Sequence, residues 1–183
     1  AASSSSAACC HASSAAACAR CALHLDRSEL RRRIAARHRA GGVEAVTVRC
    51  DVTVPADRQA LLDAATRHFG GLDLLINNAG IGALGPFTLA SEDRLRRVME
   101  VNFFGLTELT RLCLPALTVG VTPMIANVSP ILGKRAFPLS SEYCASKFAI
   151  QGFSEALRAE LTKTGIDVLV VCPGPTQTPF LKN

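Results

Sequence analysis

The sequence predicts an α/β fold in which a parallel sheet is covered by helices on both faces. Apolar runs that are too short for helices, such as Leu72–Ile76 and Thr122–Val128, alternate with longer helical stretches such as Pro55–Phe69. Short continuous apolar runs are typical of strands that are buried on both faces of a sheet. Strands that alternate with helices usually pair in parallel. The 183 residues are long enough for one domain with a single core.

The composition is that of a globular protein without a nucleic-acid partner. Hydrophobic residues make up 49% of the chain, charged residues 19%, and the net charge is +5. A run of arginines carries much of this charge, but no aromatic residue is interleaved with it, so we interpret the run as the solvated face of a helix. The run consists of Arg27, Arg31, Arg32, Arg33, Arg37 and Arg39.

Cysteine usage predicts a reducing, cytoplasmic compartment. The eight cysteines follow no disulfide-framework spacing. Cys18 and Cys21 have no second pair at zinc spacing, so we expect no metal site. No apolar run approaches the about 18 residues of a membrane span. The opening Ala/Ser/Cys tract also lacks the features of a secretory signal.

The first half of the chain contains two predicted strands before Pro55–Phe69. Ala19–Leu25 is predicted to be a strand, and an arginine-rich helix follows it and ends at Gly41–Gly42. Val43–Cys50 alternates and is rich in β-branched residues, which favours a second strand. The helix Pro55–Phe69 then begins with a proline in its first turn, and glycines follow its last residue.

The second half continues the alternation. Leu72–Ile76 is predicted to be a strand, and a loop leads to a long helix at Ser91–Leu114, for which Ser91 is a suitable N-cap. Thr122–Val128 is the next strand. A helix that carries Tyr143 then extends to about Lys163, and Ile166–Val171 is the last strand of the prediction.

Tyr143 and Lys147 are the first candidates for chemistry. Tyr143 is the only tyrosine in the chain, and Lys147 follows it by four residues, so both side chains lie on one face of a helix. A nearby ammonium stabilises a phenolate and lowers the pKa of the phenol. The pair is therefore suited to general acid/base chemistry. The same spacing is common by chance, and a half-buried tyrosine beside a solvated lysine is the alternative interpretation.

Three further motifs accompany this pair. The motif NNAG at Asn77–Gly80 and the motif VNFFG at Val101–Gly105 precede YCASK at Tyr143–Lys147, and PGPTQT at Pro173–Thr178 follows it. In this order and spacing, the chain resembles the short-chain dehydrogenase/reductase family over essentially its whole length, and specifically from about Val46 onwards. The resemblance implies a Rossmann-like, doubly wound parallel sheet within a single dinucleotide-binding domain.

The resemblance also implies the reaction and the residues that perform it. The family transfers a hydride between NAD or NADP and a small ketone, aldehyde or alcohol substrate. Tyr143 would be the acid/base, and Lys147 would lower its pKa and bind the cofactor ribose. Asn102 would support a proton relay through a water molecule. Ser129 is the candidate for the serine that polarises the substrate carbonyl.

The implied cofactor contacts follow the ends of successive strands. Asp26 would accept hydrogen bonds from the adenosine ribose of NAD, and Arg27 would suit the phosphate of NADP; the strand-end position of Asp26 favours NAD. Asp51 would hold the adenine amino group, and Val52 would pack on the ring. As bare sequence, Asp26–Arg27–Ser28 is alternatively the start of the arginine-rich helix, and Asp51 could equally be a turn residue. The other expected contacts are Asn78, Ala79, Gly80, Tyr143, Lys147, Pro173, Gly174, Thr176 and Thr178.

One departure from the family pattern concerns the phosphate-binding loop. Residues 1–19 align with the family's glycine-rich loop and the helix after it, but Ala1, Ser5 and Ala7 stand where the pattern has glycines. A Cβ at these positions hinders the close approach of the backbone to a pyrophosphate. The first and last strands of the family are missing as well. We therefore expect an incomplete sheet with a gap in its middle, as in a fragment or a degraded copy.

A second departure concerns the serine. Counting back thirteen residues from Tyr143, the family's serine position falls on Pro130, which has no hydroxyl. Ser129 takes that place only if the backbone is shifted by one residue, because neighbouring side chains on an extended segment point to opposite sides. A non-catalytic relative is therefore the alternative to an enzyme. A homo-oligomer is compatible with the resemblance.

Overall fold

The computed structural model of the chain describes residues 5–12, 18–25 and 44–174. Within these ranges six strands form one sheet in the order β3-β2-β1-β4-β5-β6. The strands are β1 (Ser5–Ala12), β2 (Cys18–Leu25), β3 (Glu44–Val48), β4 (Leu74–Asn77), β5 (Met124–Val128) and β6 (Asp167–Val171).

Four α-helices are described, and two of them are joined by a π-helical segment. The helices are α1 (Pro55–Phe69), α2 (Glu92–Met99), α3 (Gly105–Thr118) and α4 (Ser141–Glu160), and the π segment is Glu100–Phe104. Short 3-10 turns occur at Phe87–Leu89, Ile131–Gly133 and Leu161–Thr164.

The strands β2 to β6 run in the same direction, which confirms the predicted fold class. Parallel pairing joins β2 to β3, β4 to β5, and β5 to β6. The strand β1 is antiparallel to both β2 and β4, so those two strands are parallel to each other across it. The carboxyl ends of β3, β4, β5 and β6 therefore lie on one edge of the sheet, where ligands bind in open α/β folds.

The strand β1 corrects the expectation for the start of the chain. Ser5–Ala12 was expected to belong to a degenerate phosphate loop and helix, beside a gap in the middle of the sheet, but it is a strand that fills that central position. The facing edges of β2 and β4 would otherwise leave backbone N–H and C=O groups unpaired, and β1 pairs with both. The sequence of residues 1–19 contains no glycine.

The helix predicted for Ser91–Leu114 is present but is not uniform. Ser91 caps it as predicted, because its hydroxyl accepts a hydrogen bond of 3.2 Å from the Arg94 N–H. The π segment at Glu100–Phe104 interrupts the α-helical repeat. Such a one-turn widening inserts an extra residue and often occurs at functional sites. The segment contains Asn102, which sequence reasoning had already selected.

The main core lies between the sheet and the layer of described helices. Leu75 on β4 and Ile125 on β5 are fully buried, and so is Leu117 of α3. On the edge strand β6, Val168 is buried but the next residue, Leu169, is 48% exposed. The described helices therefore cover one face of this strand. The predicted arginine-rich helix lies outside the described residues.

A close contact fixes the start of α3 against the loop that follows β3. A Cβ on Gly105 would lie 2.9 Å from Val52 Cγ2 and 3.1 Å from the Val52 carbonyl oxygen. Val52 is itself 1% exposed, so its side chain has no space into which to retreat. The packing at this point requires glycine.

We predict that Gly105→Ala lowers the free energy of unfolding by about 1–3 kcal/mol, the usual cost of overpacking. Gly152→Ala is the matched control, because Gly152 lies within α4 and a Cβ there meets no atom within 4 Å. The control should gain about 0.5–1 kcal/mol from helix propensity. Urea denaturation of both variants checks the prediction, and equal stabilities for the two would contradict it.

Candidate active site

The predicted site segments meet at the carboxyl edge of the sheet. Asp51 follows β3, Asn78 follows β4, Ser129 follows β5, and Pro173–Gly174 follows β6. The shared direction of these strands brings the four segments to one edge. The sequence-based expectation for their placement is therefore met.

The Asn102 side chain connects the carboxyl edge of the sheet to the helices. Its side chain is fully buried. Its Oδ1 accepts a hydrogen bond of 2.8 Å from the Ile81 N–H, and its Nδ2 donates to the Ile81 carbonyl at 3.0 Å and to Ser146 Oγ at 2.9 Å. Ser146 Oγ in turn donates to the Tyr143 carbonyl at 2.7 Å. The amide thereby links the loop after β4 to the first turns of α4.

Tyr143 and Lys147 lie together on α4, as their spacing predicted. Both are buried, and the Lys147 Nζ lies over the Tyr143 ring, 5.7 Å from its centroid. The same Nζ donates a hydrogen bond of 3.1 Å to the Val128 carbonyl at the end of β5. Ala83 and Val98 form a buried apolar cluster with Tyr143. The alternative interpretation, with a solvated lysine, is wrong.

The charge states of this pair differ from the sequence-based expectation. Burial raises the pKa of Tyr143 to about 12, with a smaller contribution from Cys144. Burial also lowers the pKa of Lys147 to about 8. The resemblance implies that Lys147 lowers the pKa of Tyr143, but the causes of the shift in this structure are burial and Cys144, and both raise that pKa. At neutral pH, Tyr143 is a neutral phenol and Lys147 is mostly an ammonium.

The described residues near Lys147 fit the ribose end of a nicotinamide dinucleotide. An ammonium has three donors, and the Val128 carbonyl is the one hydrogen-bond acceptor found for Nζ in the described part of the chain. Gly80 keeps the approach open, because a Cβ there would lie 3.5 Å from Lys147 Nζ and 3.3 Å from Asn102 Oδ1. Neighbouring Asn78 and Ala79 are exposed and partly exposed, respectively.

The described residues do not supply the phosphate-binding loop of such a cofactor. Ser5 and Ala7 belong to a strand, and neither stands at a helix N-terminus. A pyrophosphate is bound by free backbone N–H groups at the start of a helix, whereas the N–H groups of a central strand face the neighbouring strands. Among the described residues, the fit to a dinucleotide is therefore limited to its ribose and nicotinamide end.

The Ser129 hydroxyl does not point into the cleft. Ser129 is fully buried, and its Oγ donates a hydrogen bond of 3.0 Å to the Lys147 carbonyl on α4. Pro130 is partly exposed and begins the next turn. The geometry thus does not favour the catalytic role that we predicted for Ser129. The reason is that the Ser129 hydroxyl is bonded to α4, and Pro130, which follows it, has no hydroxyl to take its place.

Asp51 is exposed at the carboxyl edge of the sheet, whereas the side chain of Val52 is buried. Asp51 is exposed, and its Oδ1 accepts hydrogen bonds from the N–H and the hydroxyl of Thr53 at 2.9 and 2.7 Å. The Val52 side chain packs in the core against Gly105. The expected packing of this side chain on an adenine ring is therefore not available, which leaves only the Val52 backbone for such a contact.

Several predicted residues have no structural test. Asp26, Arg27, Thr176 and Thr178 lie outside the described residues. Pro173 and Gly174 are described, and both follow β6 at the carboxyl edge. Within the described ranges, no group of three His, Cys, Asp or Glu side chains is placed to hold a metal ion.

Sequence reasoning missed a buried polar network that supports the site. Asn77 Nδ2 donates to Thr110 Oγ1 at 2.9 Å and to Asn127 Oδ1 at 2.8 Å, and Asn127 Nδ2 donates to Ser154 Oγ at 2.9 Å. These bonds join β4 and β5 to α3 and α4. The signal was available, because an asparagine inside an apolar strand must find hydrogen-bond partners when buried.

Sequence reasoning also missed an ion pair beside Tyr143. Glu142 is 2% exposed, and its Oε1 lies 2.7 Å from Arg94 Nη2. Burial alone would raise the pKa of Glu142, but its own backbone N–H, Arg94 and Ser141 outweigh burial and lower that pKa. The two partners are 48 positions apart in the chain, so no local pattern signals this contact.

Comparisons with known proteins agree with this geometry. The family model described as short chain dehydrogenase matches residues 6–183. Human "Dehydrogenase/reductase SDR family member 7" is 38% identical over 134 residues, which are 73% of this chain and 40% of that protein. The "3-ketodihydrosphingosine reductase" of Bacteroides thetaiotaomicron is 37% identical over 133 residues, or 73% of this chain and 49% of that protein. The chain thus spans half or less of the length of these curated relatives.

A solved structure has the same fold. The crystal structure of a short chain dehydrogenase/reductase from Burkholderia phymatum, in complex with NAD, has a TM-score of 0.82 and 30% sequence identity to this chain. The match covers 88% of this chain and 58% of the other. Among the residues that the structure describes, no helix has both the length and the apolar character needed to cross a bilayer.

We predict that Lys147→Met raises the free energy of unfolding at pH 7 by about 1–3 kcal/mol, because a buried ammonium is costly. The folded-state pKa of about 8 lies below the ordinary 10.5. The cost is fully present below pH 8 and declines as the pH rises towards 10.5, where the lysine is neutral in both states.

Chemical denaturation from pH 7 to pH 10.5 checks this expectation, and the gain should shrink as the pH rises. Lys134→Met is the control, because Lys134 is exposed and its replacement should change stability little. A Lys147→Met variant that is less stable than the wild type at pH 7 would refute the buried-charge interpretation.

Proposed function

The chain belongs to the short-chain dehydrogenase/reductase family, and on that premise we propose that its site serves NAD(P)-dependent oxidoreduction. The reaction interconverts a ketone or aldehyde and an alcohol, and the chain acts as a single dinucleotide-binding domain. The observation that carries the proposal is the convergence of Tyr143, Lys147 and Asn102 at the carboxyl edge of the sheet. Asp51, Asn78 and Gly80 lie along the same edge and are the proposed cofactor contacts.

Tyr143 acts as the proton donor in the reductive direction. The carbonyl carbon gains a hydride, which a bound nicotinamide supplies, and the carbonyl oxygen gains a proton from the phenol. Burial keeps the phenol protonated, with a pKa of about 12, so it is ready to donate at neutral pH. Alcohol oxidation requires the phenolate instead and is therefore favoured by high pH.

Lys147 has two proposed tasks. It is mostly protonated at pH 7 because its pKa is about 8, so its charge stabilises the phenolate that forms when Tyr143 gives up its proton. Its N–H groups not directed at the Val128 carbonyl are suited to ribose hydroxyls. Asn102 keeps Tyr143 and the loop at Ile81 in place. In addition, we propose that Asn102 supports a proton relay through a water molecule.

The proposal also covers the preferred cofactor, the cellular compartment and the oligomeric state. NAD is favoured by Asp26, which follows Leu25 in the sequence, and the Burkholderia phymatum neighbour was solved with NAD. Among the described residues, Cys50 and Cys144 are buried and form no disulfide, which supports a reducing compartment such as the cytoplasm. Exposed phenylalanines on the π segment and on α4 support a homo-oligomer. These residues are Phe104 and Phe148.

A non-catalytic relative is the second candidate, and two observations favour it. Pro130 offers no hydroxyl where the family has its serine, and Ser129 directs its hydroxyl to the Lys147 carbonyl. The strand β1 also occupies the central place next to which a glycine-rich loop would bind phosphate. Loss of one donor to a developing oxyanion costs about 10²–10³ in rate.

We predict that Pro130→Ser raises the turnover of a generic ketone by about 10²-fold, because it restores an oxyanion donor. Ser129→Ala should change turnover little, since the Ser129 hydroxyl is buried against α4. Oxidation of NADH and NADPH, followed by absorbance, measures both variants in the same assay.

Tyr143→Phe in the Pro130→Ser background is the control, and it should remove the gained activity because it lacks the acid. The opposite pattern, in which Ser129→Ala abolishes turnover and Pro130→Ser has no effect, would show that Ser129 is the catalytic serine. No turnover in any variant, with the fold intact, would favour the non-catalytic relative.

A further inference from the structure

The first turn of α4 has no side-chain cap. Ser140 stands at the N-cap position, but its hydroxyl accepts no hydrogen bond from the helix. The preceding residue, Leu139, has a φ of 64°, a left-handed conformation that is unfavourable for leucine. A helix start without a cap leaves N–H groups without partners and tends to fray. Tyr143 is the third residue of this helix.

The Glu142 carboxylate takes over the role of the missing cap. It accepts a hydrogen bond of 3.0 Å from the Ser141 hydroxyl, and its own backbone N–H is among the groups that lower its pKa. A negative charge in the first turn also interacts favourably with the helix dipole. The carboxylate is fully buried, so these contacts are shielded from solvent screening.

Arg94 fastens this carboxylate to the neighbouring helix. The Arg94 Nε donates to Glu142 Oε1 at 2.9 Å, and Nη2 makes a close ionic contact with the same oxygen at 2.7 Å. Arg94 lies in the first turn of α2, and its own N–H bonds to the cap residue Ser91. The ion pair therefore joins the starts of two helices.

The ion pair is one of three contacts along one face of α2 and the π segment. Arg94, Val98 and Asn102 are spaced four residues apart. They meet Glu142, the Tyr143 cluster and Ser146, in that order. Tyr143 thus lies between two polar contacts, and the contact on its N-terminal side is the ion pair.

We propose that Glu142, held by Arg94, is a positioning residue that fixes the Tyr143 ring in the site. The ion pair replaces the absent cap, so that the residue next to it in the chain cannot move with a fraying first turn. The catalytic meaning of this role rests on the proposed function of Tyr143, but the positioning itself is independent of cofactor and substrate.

The composition of the chain provides a direct test. The protein has one tyrosine and no tryptophan, so tyrosine fluorescence and phenolate absorbance report on Tyr143 alone. In Glu142→Gln, we expect the pKa of Tyr143 to fall by about one unit from its value near 12, towards 10, as water reaches the ring. Quenching of the fluorescence by iodide at pH 7 should increase in the same variant.

Two further variants sharpen the test. Glu92→Gln breaks the exposed Arg96–Glu92 pair on α2, the helix that also carries Arg94. This variant should leave the pKa of Tyr143 and the iodide quenching unchanged. The double variant Arg94→Gln, Glu142→Gln replaces the ion pair by an amide pair that can form one hydrogen bond, and it should recover part of the wild-type pKa and quenching.

A folded Glu142→Gln variant with wild-type titration and quenching would overturn the proposal. If Glu142→Gln does not fold, Arg94→Lys decides, because it keeps the charge but loses the planar guanidinium. Shifted readouts in folded Arg94→Lys would support positioning, and unchanged readouts would refute it. Since neither readout needs a dinucleotide or ketone, a failure of the proposed reaction would leave this test intact.

Discussion

The site depends on one buried amide. Asn102 sits in a π-helical turn, where its side chain reaches both backbone groups of Ile81 and the hydroxyl of Ser146. A buried amide that lost any of these partners would carry the cost of an unsatisfied polar group. Satisfying all of them fixes three elements at once: the loop after β4, the α2–α3 helix and the start of α4. The positions of Tyr143 and Lys147 follow from that arrangement.

The two ends of the proposed cofactor site are unequal. At the nicotinamide end, Lys147, Gly80 and Asn102 form a close-packed setting around a neutral phenol. At the phosphate end, the described chain has a central strand instead of a glycine-rich turn and a helix N-terminus. Proton transfer depends on the first end, and most dinucleotide affinity depends on the second. In the proposed function, the described residues therefore provide the acid, Tyr143, but no glycine-rich loop that would bind the pyrophosphate.

Much of the fold could be predicted from the sequence, because apolar periodicity and helix-end signals are local. The helix Pro55–Phe69 and the strand that ends at Leu25 were located within one residue. The placement of Tyr143 beside Lys147 was equally local. The strand at Ser5–Ala12 was not predicted, because its stability comes from pairing with distant strands. The Arg94–Glu142 pair and the burial that shifts the pKa of Tyr143 also depend on tertiary contacts, which no local pattern encodes.

Titration of the chain with NADH, followed by NADH fluorescence, tests most directly whether the nicotinamide end of the proposed site is formed while the phosphate end is not. With only the nicotinamide end in place, we expect a dissociation constant of about 1 mM or weaker, or about −4 kcal/mol of binding free energy. Lys147→Met should weaken that binding further, because it removes the proposed ribose contact. A dissociation constant of about 1 μM, insensitive to Lys147→Met but lost in Asp51→Ala, would contradict the account. It would show that the adenine and phosphate end provides most of the affinity.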